Sequence, residues 1–446
     1  MQTKRMMQLV IVLFLLAALP GLTAVVAQEQ GPAGKEPLPA ALEVGESEAP
    51  SANLHETEPN NSNGSADILS LGDVMGAGFS ADGDIDFFKF YVEEWGTTIL
   101  IDTDAQSIGA DIDTEVTLYD SNGVEIGFND DSGDTDSMLY RVVRGGWYFV
   151  KVTEYYSTGC DSDCYYNLIV SSPLLISAAA ANLGTGRVAG IPFRSEDILA
   201  HSDLNDGQEK WVMFFDGSDA GITKPLVNLS AGWVCPQGNC PSLAVSFGAN
   251  QVLTDLHGVQ RTFKPQDWAV LSLDQIGTVT VVGDIEYHRG IDNGLSTSGE
   301  KLDALAILDY TNAGGGPVEL YFSTVGSAAV PKADGGQLRL FDEDILVSRL
   351  FNNVLPWRNS MGFDGSDFIG LAGEDVFAFD LDEEGPPLWY FTILGSGNID
   401  GQTVTQKDIF SLEWSDDGYW GGFNKVWHGP SHGWNYNIDA FDWPGE

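Results

Sequence analysis

Residues 173–446 are built on an internal repeat, and a chain that returns to one pattern every 64 to 77 residues has few folds open to it. Leu243–Trp268, Leu320–Ile345, Leu388–Ile409 and Leu174–Ile198 share one frame, with Asp197, Asp267, Asp344 and Asp408 in matched places. The tract FDGSD at Phe215–Asp219 recurs at Phe363–Asp367, and the stretches that begin at Lys301, Glu374 and Asn437 echo one another. Each unit then holds about four strands. A unit of this size cannot readily bury its own core, so a radial β-propeller-like domain of four stacked units is expected. A tandem of small sandwiches is the alternative. The last unit departs from the frame, because His428-Gly429-Pro430 stands where Asp364-Gly365-Ser366 would be, as in a terminal or closing unit.

Between 55 and 172 the texture is different. Short alternating strands at Phe87–Val92, Thr98–Ile101, Val116–Tyr119, Trp147–Val152 and Tyr165–Val170 are separated by Asp, Gly, Asn and Ser clusters, without helical periodicity. This predicts an antiparallel β-sandwich and an all-β chain. Residues 28–54, rich in Ala, Pro, Glu and Gly, read as a flexible linker. Residues 1–27 carry Lys4 and Arg5, an apolar run from Leu9 to Leu16, and Val25-Val26-Ala27, the layout of a cleavable secretory signal. No later segment reaches the roughly 18 apolar residues that a spanning helix needs. The expected mature protein is exported and extracellular.

Charge narrows the partners. The chain has 65 Asp and Glu against 21 Lys and Arg, a net charge of -44, which repels nucleic-acid phosphates and anionic headgroups. With 43% hydrophobic residues it still has enough apolar surface for real cores. The four cysteines form two close pairs, Cys160 with Cys164 and Cys235 with Cys240. In an oxidising compartment this predicts two local disulfides, and no further ligands at zinc spacing accompany them.

One cluster has metal chemistry. His55-Glu56-Thr57-Glu58-Pro59-Asn60-Asn61 is followed by Asp82-Gly83-Asp84-Ile85-Asp86. Calcium takes six to eight oxygen ligands, and carboxylates with amide oxygens on irregular turns supply them. Alternate acids on an extended segment face one side, so Glu56 and Glu58 can share an ion. The ordered set ETEPNN, GDIDFFKFYV, TLYDSNG, FNDD, GGWYFVKV and YYNLIV resembles the bacterial pre-peptidase C-terminal domain over nearly all of 55–172. That resemblance implies a jelly-roll-like sandwich that often binds calcium and assists substrate binding or secretion. It implies Glu56, Glu58, Asn60, Asn61, Asp84 and Asp86 as ligands, with Asp82 and the tract Asn129, Asp130, Asp131, Asp134 and Asp136 as weaker candidates. The repeat region similarly resembles propeller-like repeat domains of secreted bacterial proteins.

Catalytic motifs are missing. There is no HExxH; GxSxG spacing occurs once, at Gly429-Pro430-Ser431-His432-Gly433, in an all-β context that lacks the strand-to-helix turn of a nucleophile elbow, and His55, His201, His257, His288 and His428 have no Ser or Cys at recognisable spacing. Here the sandwich also precedes the repeat domain, whereas in the family it usually trails a peptidase. Asp216/Asp219 and Asp364/Asp367 read as hairpin turns before they read as ligands. The aromatic stretch Trp414, Tyr419, Trp420, Trp427, Trp434, Tyr436 and Trp443 reads as core, with a sugar or peptide platform as the alternative. The sequence therefore favours an exported, calcium-binding, non-catalytic binding or adhesion protein whose repeat domain presents a surface to an extracellular protein or polysaccharide. The alternative is a secreted hydrolase of glycans or peptides with carboxylates at the mouth of the repeat domain.

Overall fold

Strands that alternate buried and less buried residues, such as Ile85–Val92, stand beside strands buried along their whole length, such as Thr97–Asp104 and Ser242–Phe247, in the computed structural model. It describes residues 51–93, 97–132, 135–156, 160, 163–179, 185–205, 207–231, 242–254, 258–297, 299–309, 318–332, 334–351, 354–368, 371, 374–382, 388–414 and 420–444. The expected signal and most of the linker, together with Cys235, Cys240, Asp134 and Tyr419, lie outside them. The described elements are strands and short 3-10 turns.

Two five-stranded sheets form the first part. One runs Leu54–His55, Val74–Gly78, Tyr165–Ser171, Thr97–Asp104, Met138–Val143, and the other Asp67–Ile68, Ile85–Val92, Gly146–Glu154, Thr114–Asp120, Glu125–Asn129. In Ile85–Val92 the residues Asp86, Phe88, Phe90 and Val92 are buried while their neighbours are less so. The period of two aims this set at a core shared with Ile99, Ile101, Leu118, Val150 and Leu168. It also drives one carboxylate, Asp86, inward.

Four four-stranded sheets follow. The second, third and fourth each take consecutive segments: Leu226–Ala231, Ser242–Phe247, Trp268–Gln275, Val281–His288; then Leu302–Asp309, Val318–Thr324, Ile345–Phe351, Val354–Phe363; then Val376–Asp382, Leu388–Ile393, Asp408–Trp414, Trp420–His428. The first sheet holds Leu174–Ala178, Ile198–Asp203 and Glu209–Phe215, and borrows its fourth strand, Ile438–Asp442, from the far end of the chain. The Asn437 echo thus belongs to the first sheet and not to the last. Edge strands Ile438–Asp442, Leu226–Ala231, Leu302–Asp309 and Val376–Asp382 pack in cyclic order, the last against the first. Each unit also inserts a two-stranded ribbon between its second and third strands, such as Ala328–Pro331 with Gln337–Leu340. The expected four strands per unit are therefore six, because the Gly-rich stretch inside each repeat is itself a hairpin.

The matched aspartates lock these units. Asp197 accepts from the backbone N–H groups of Arg194 and Gly217, Asp267 from Lys264 and Gly290, and Asp344 from Phe341 and Gly365. A carboxylate buried this way joins the start of one strand to the turn after the next. The turn glycine must lack a Cβ, which at Gly365 would stand 2.3 Å from the Glu343 carbonyl oxygen. In the fourth unit Asp408 meets the His428 ring instead, and the Gly429 N–H goes to the Lys407 carbonyl. The FDGSD tracts are turns: Asp216 accepts from Ser218 N and Oγ, and Asp364 from Ser366 N and Oγ.

The two parts share a core. Leu100, Met138 and Tyr140 of the sandwich pack with Leu175, Val212 and Phe214, the Tyr140 and Phe214 rings meeting edge to face at 4.7 Å. Trp427 and Trp434 are buried, as the core reading expects, and the side chains of Trp414 and Trp420 lie outside the described residues. One expectation needs correction: Cys160 and Cys164 are free thiols. The Cys160 N–H is held by Asp82 and the Cys164 carbonyl by the Phe79 N–H, which leaves the sulfurs in hydrogen-bonding contact and not at bonding distance.

Candidate metal centre

The ETEPNN turn meets the start of Ile85–Val92, where the Phe87 N–H donates to the Asn60 carbonyl. Glu56 follows the short strand Leu54–His55, Glu58 lies at the bend before Pro59, and Asp86 is the first inward residue of its strand. One carboxylate oxygen of each lies within 4.8 Å of the others. Glu56 is held on both sides, its Oε1 accepting from Gly78 N at 2.6 Å and its Oε2 from Asn60 Nδ2 at 3.0 Å. A Cβ at Gly78 would meet the Cys164 carbonyl at 2.8 Å, so this donor has to be a glycine. Glu58 Oε2 accepts from Asn60 N, and Asp86 Oδ2 from the buried Tyr166 hydroxyl at 2.6 Å.

Two oxygens at this point have no donor. Asn60 Oδ1 and Asp86 Oδ1 are buried and make no hydrogen bond. An unpartnered buried oxygen costs about 1–3 kcal/mol, more when it is charged, and oxygens left this way beside two further carboxylates suit a hard cation. The electrostatics agree. Burial pushes Glu56 up to about 7 against the hydrogen bonds from Gly78 and Asn60. Burial, then the Glu56 charge, pushes Asp86 up to about 8, and burial raises Glu58 as well. A divalent ion would reverse these shifts.

The other candidates are placed differently. Asp84 accepts from Ser80 N, Ser80 Oγ, Ile85 N and Asn61 Nδ2, and although burial opposes it, these bonds hold its carboxyl below the usual range. Asp84 and Asn61 thus shape the turn beside the centre. Asp82 is exposed at the turn tip and holds Cys160 N. In the second tract, Asn129 Oδ1 accepts from Met138 N and Asp136 from Ala105 N and Gln106 N, while Asp130 and Asp131 are part-exposed. Two residues at the centre escape sequence reasoning: Tyr166, and Asp67, which accepts from Thr57 N and Asn60 Nδ2. No local spacing marks them, because both arrive from other strands.

The pH dependence follows from the raised carboxyls. Folded Glu56 and Asp86 keep protons that the unfolded chain releases above its ordinary values near 4, so their contribution to stability is full below about pH 4 and is lost as pH rises to about 8. Asp197, pushed up to about 7 by burial, and Asp439, up to about 8 by burial, act in the same direction. The difference between calcium-loaded and EDTA-treated protein isolates the centre. Thermal unfolding should show a calcium stabilisation that grows from about pH 5 to about pH 8, and Glu56→Gln/Asp86→Asn should abolish that growth.

No protein-family model and no curated protein matches this chain. Among solved structures it is similar to the pre-peptidase C-terminal domain of collagenase from Bacillus anthracis, at 18% identity over 24% of this chain and 94% of that one, with a TM-score of 0.20. It is also similar to a glycoside hydrolase family 32 structure from Bifidobacterium adolescentis (9% identity, 80% and 67% covered, TM-score 0.21). A third is the BSP domain of a biofilm-associated protein (9%, 79% and 66%, TM-score 0.14). No described helix is long and apolar enough to cross a membrane.

Proposed function

We propose that the chain is an exported calcium-binding, non-catalytic binding or adhesion protein. In this reading a pre-peptidase C-terminal-like sandwich carries the ion, and a four-bladed propeller presents a surface to an extracellular protein or polysaccharide. The convergence of Glu56, Glu58 and Asp86, with Asp86 Oδ1 buried and unpartnered, carries the calcium part. Support for the propeller comes from the cyclic packing of the four edge strands and from the C-terminal strand completing the first sheet. The sandwich adds an exposed aromatic pair of its own, apart from the repeat domain's surface. Tyr91 and Trp147 lie side by side across neighbouring strands of the sandwich, ring centroids 5.3 Å apart, 48% and 42% exposed. No specific observation favours the hydrolase.

Thermal unfolding of the chain from Gln28, in calcium and in EGTA, tests the proposal. Calcium at 100 times its dissociation constant adds about 2.7 kcal/mol to a protein whose folded form alone binds it. Wild type should gain stability of this order, and Glu56→Gln/Glu58→Gln/Asp86→Asn should gain none.

A further inference from the structure

A second cluster of ligating groups lies in the repeat region, where the fourth sheet meets the first. His201, near the end of Ile198–Asp203, and Asp203 two residues on share one face of that strand. Asp203 pairs with Glu209 on the next strand, and His201 with Trp211. The 3-10 turn Gly429–His432 brings His432 over this hairpin end. One atom from each of His201, Asp203, Glu209 and His432 lies within 4.8 Å of the others.

The spacing is that of a four-coordinate site. His432 Nδ1 is 2.9 Å from Glu209 Oε1 and 3.8 Å from Asp203 Oδ1, and His201 Nε2 is 3.5 Å from Glu209 Oε2 and 3.8 Å from Asp203 Oδ1. Four donors about 2.0–2.2 Å from one ion, at tetrahedral corners, stand about 3.4 Å from one another. His201 is the independent sign of a ligand. Its side chain is 2% exposed, and its Nε2 is buried and makes no hydrogen bond. Unprotonated, that nitrogen offers its lone pair to a metal. Asp203 and Glu209 are like charges directly opposite on paired strands, an arrangement that costs stability unless a cation lies between them.

Neighbouring seams show that repeat packing alone does not require these groups. The residue four after each matched aspartate meets the residue three after the turn glycine of the preceding sheet. Those pairs are Leu271 with Ala220 and Leu412 with Phe368, each within one apolar cluster, and Ser348 with Asn293, which are hydrogen-bonded at 3.1 Å. At the seam from fourth sheet to first, the same two places hold His201 and His432. The rings are set by tryptophans: His432 stacks on Trp427 at 5.3 Å and 6°, and His201 packs on Trp211 at 4.5 Å.

We propose that His201, Asp203, Glu209 and His432 form a site for one tetrahedral divalent ion of the zinc class, which staples the last repeat to the first. Two imidazole nitrogens with two carboxylates suit zinc and its transition-metal neighbours, whereas calcium takes oxygen alone. Two neutral imidazoles and two carboxylates also balance the charge of the ion. With four protein ligands the site is structural, and its effect is on closure of the repeat domain.

The test uses the chain from Gln28, stripped with EDTA and held in saturating calcium, so that the sandwich centre does not compete. Zinc titration should find one tight site that raises the unfolding midpoint, and Co²⁺ should give the visible ligand-field bands of a tetrahedral site. Asp203 and Glu209 are 69% and 36% exposed, so Asp203→Asn/Glu209→Gln leaves the fold intact. It should weaken zinc by more than the roughly 10–100-fold that loss of an outer hydrogen bond costs a metal site, as should His432→Ala. Glu56→Gln/Glu58→Gln/Asp86→Asn should leave zinc affinity unchanged, which separates this site from the sandwich centre. Absence of zinc uptake by folded wild type, or uptake unchanged in Asp203→Asn/Glu209→Gln, overturns the proposal.

Discussion

A chain cut after Asn437 should lose the cooperative fold of its repeat region. Ile438–Asp442 pairs with Leu174–Ala178 through Leu175 with Asp442, Ile176 with Phe441 and Ser177 with Ala440, so deletion strips the first sheet of an edge it takes from the far end of the chain. The same strand packs on Leu226–Ala231 and on Val376–Asp382. Ile438, Ala440 and Phe441 are at most 1% exposed. Emptying large apolar side chains from such positions costs about 2–5 kcal/mol each, and two of them approach or exceed the whole stability of many domains, about 5–15 kcal/mol. Urea unfolding and limited proteolysis read the outcome: an early or absent transition and rapid digestion of residues 173–437. A truncated chain with an unchanged urea midpoint would show that the sheets do not close on one another.

Lys210→Ala should be the most damaging single substitution outside the apolar cores. Lys210 stands on the first sheet of the repeat region and reaches across to the sandwich, its Nζ 2.6 Å from Asp104 and 3.3 Å from Asp102. All three side chains are at most 3% exposed. Taking one partner from a buried pair leaves an uncompensated charge and costs about 3–5 kcal/mol. Here two carboxylates are left. Replacing all three groups together, as Lys210→Met/Asp102→Asn/Asp104→Asn, should recover much of the loss, because the cost lies in the stranded charge and not in the missing contact. Urea midpoints of the two variants decide this. If Lys210→Ala unfolds within about 0.5 kcal/mol of wild type, a range typical of surface substitutions, the ion group does not bridge the two parts.

What the sequence discloses and what it withholds divide along one physical line. Features carried by neighbouring residues are legible: the sandwich strands by alternation, the repeats by their recurring aspartates, and Glu56, Glu58 and Asp86 by a short extended tract and an inward strand position. Asp84 shows the limit, since its residue type fits a ligand while its oxygens are taken by Ser80, Ile85 and Asn61. Tyr166 reaches Asp86 from 80 positions away, and His432 meets Glu209 across 223. Only the pairing of sheets brings such groups together, so no spacing in the chain announces them. The Cys160 and Cys164 thiols show the converse, in which close spacing suggests a bond that the structure does not form.

Calorimetric titration of calcium into the EDTA-stripped chain from Gln28 at about pH 8, where Glu56 and Asp86 can release their protons to solvent as the ion binds, settles whether the sandwich is a calcium module. Wild type should give one saturable site, and Glu56→Gln/Glu58→Gln/Asp86→Asn should give none. Wild-type protein that takes up no calcium, or a triple variant that binds it equally well, would contradict the assignment of Glu56, Glu58 and Asp86 as the centre.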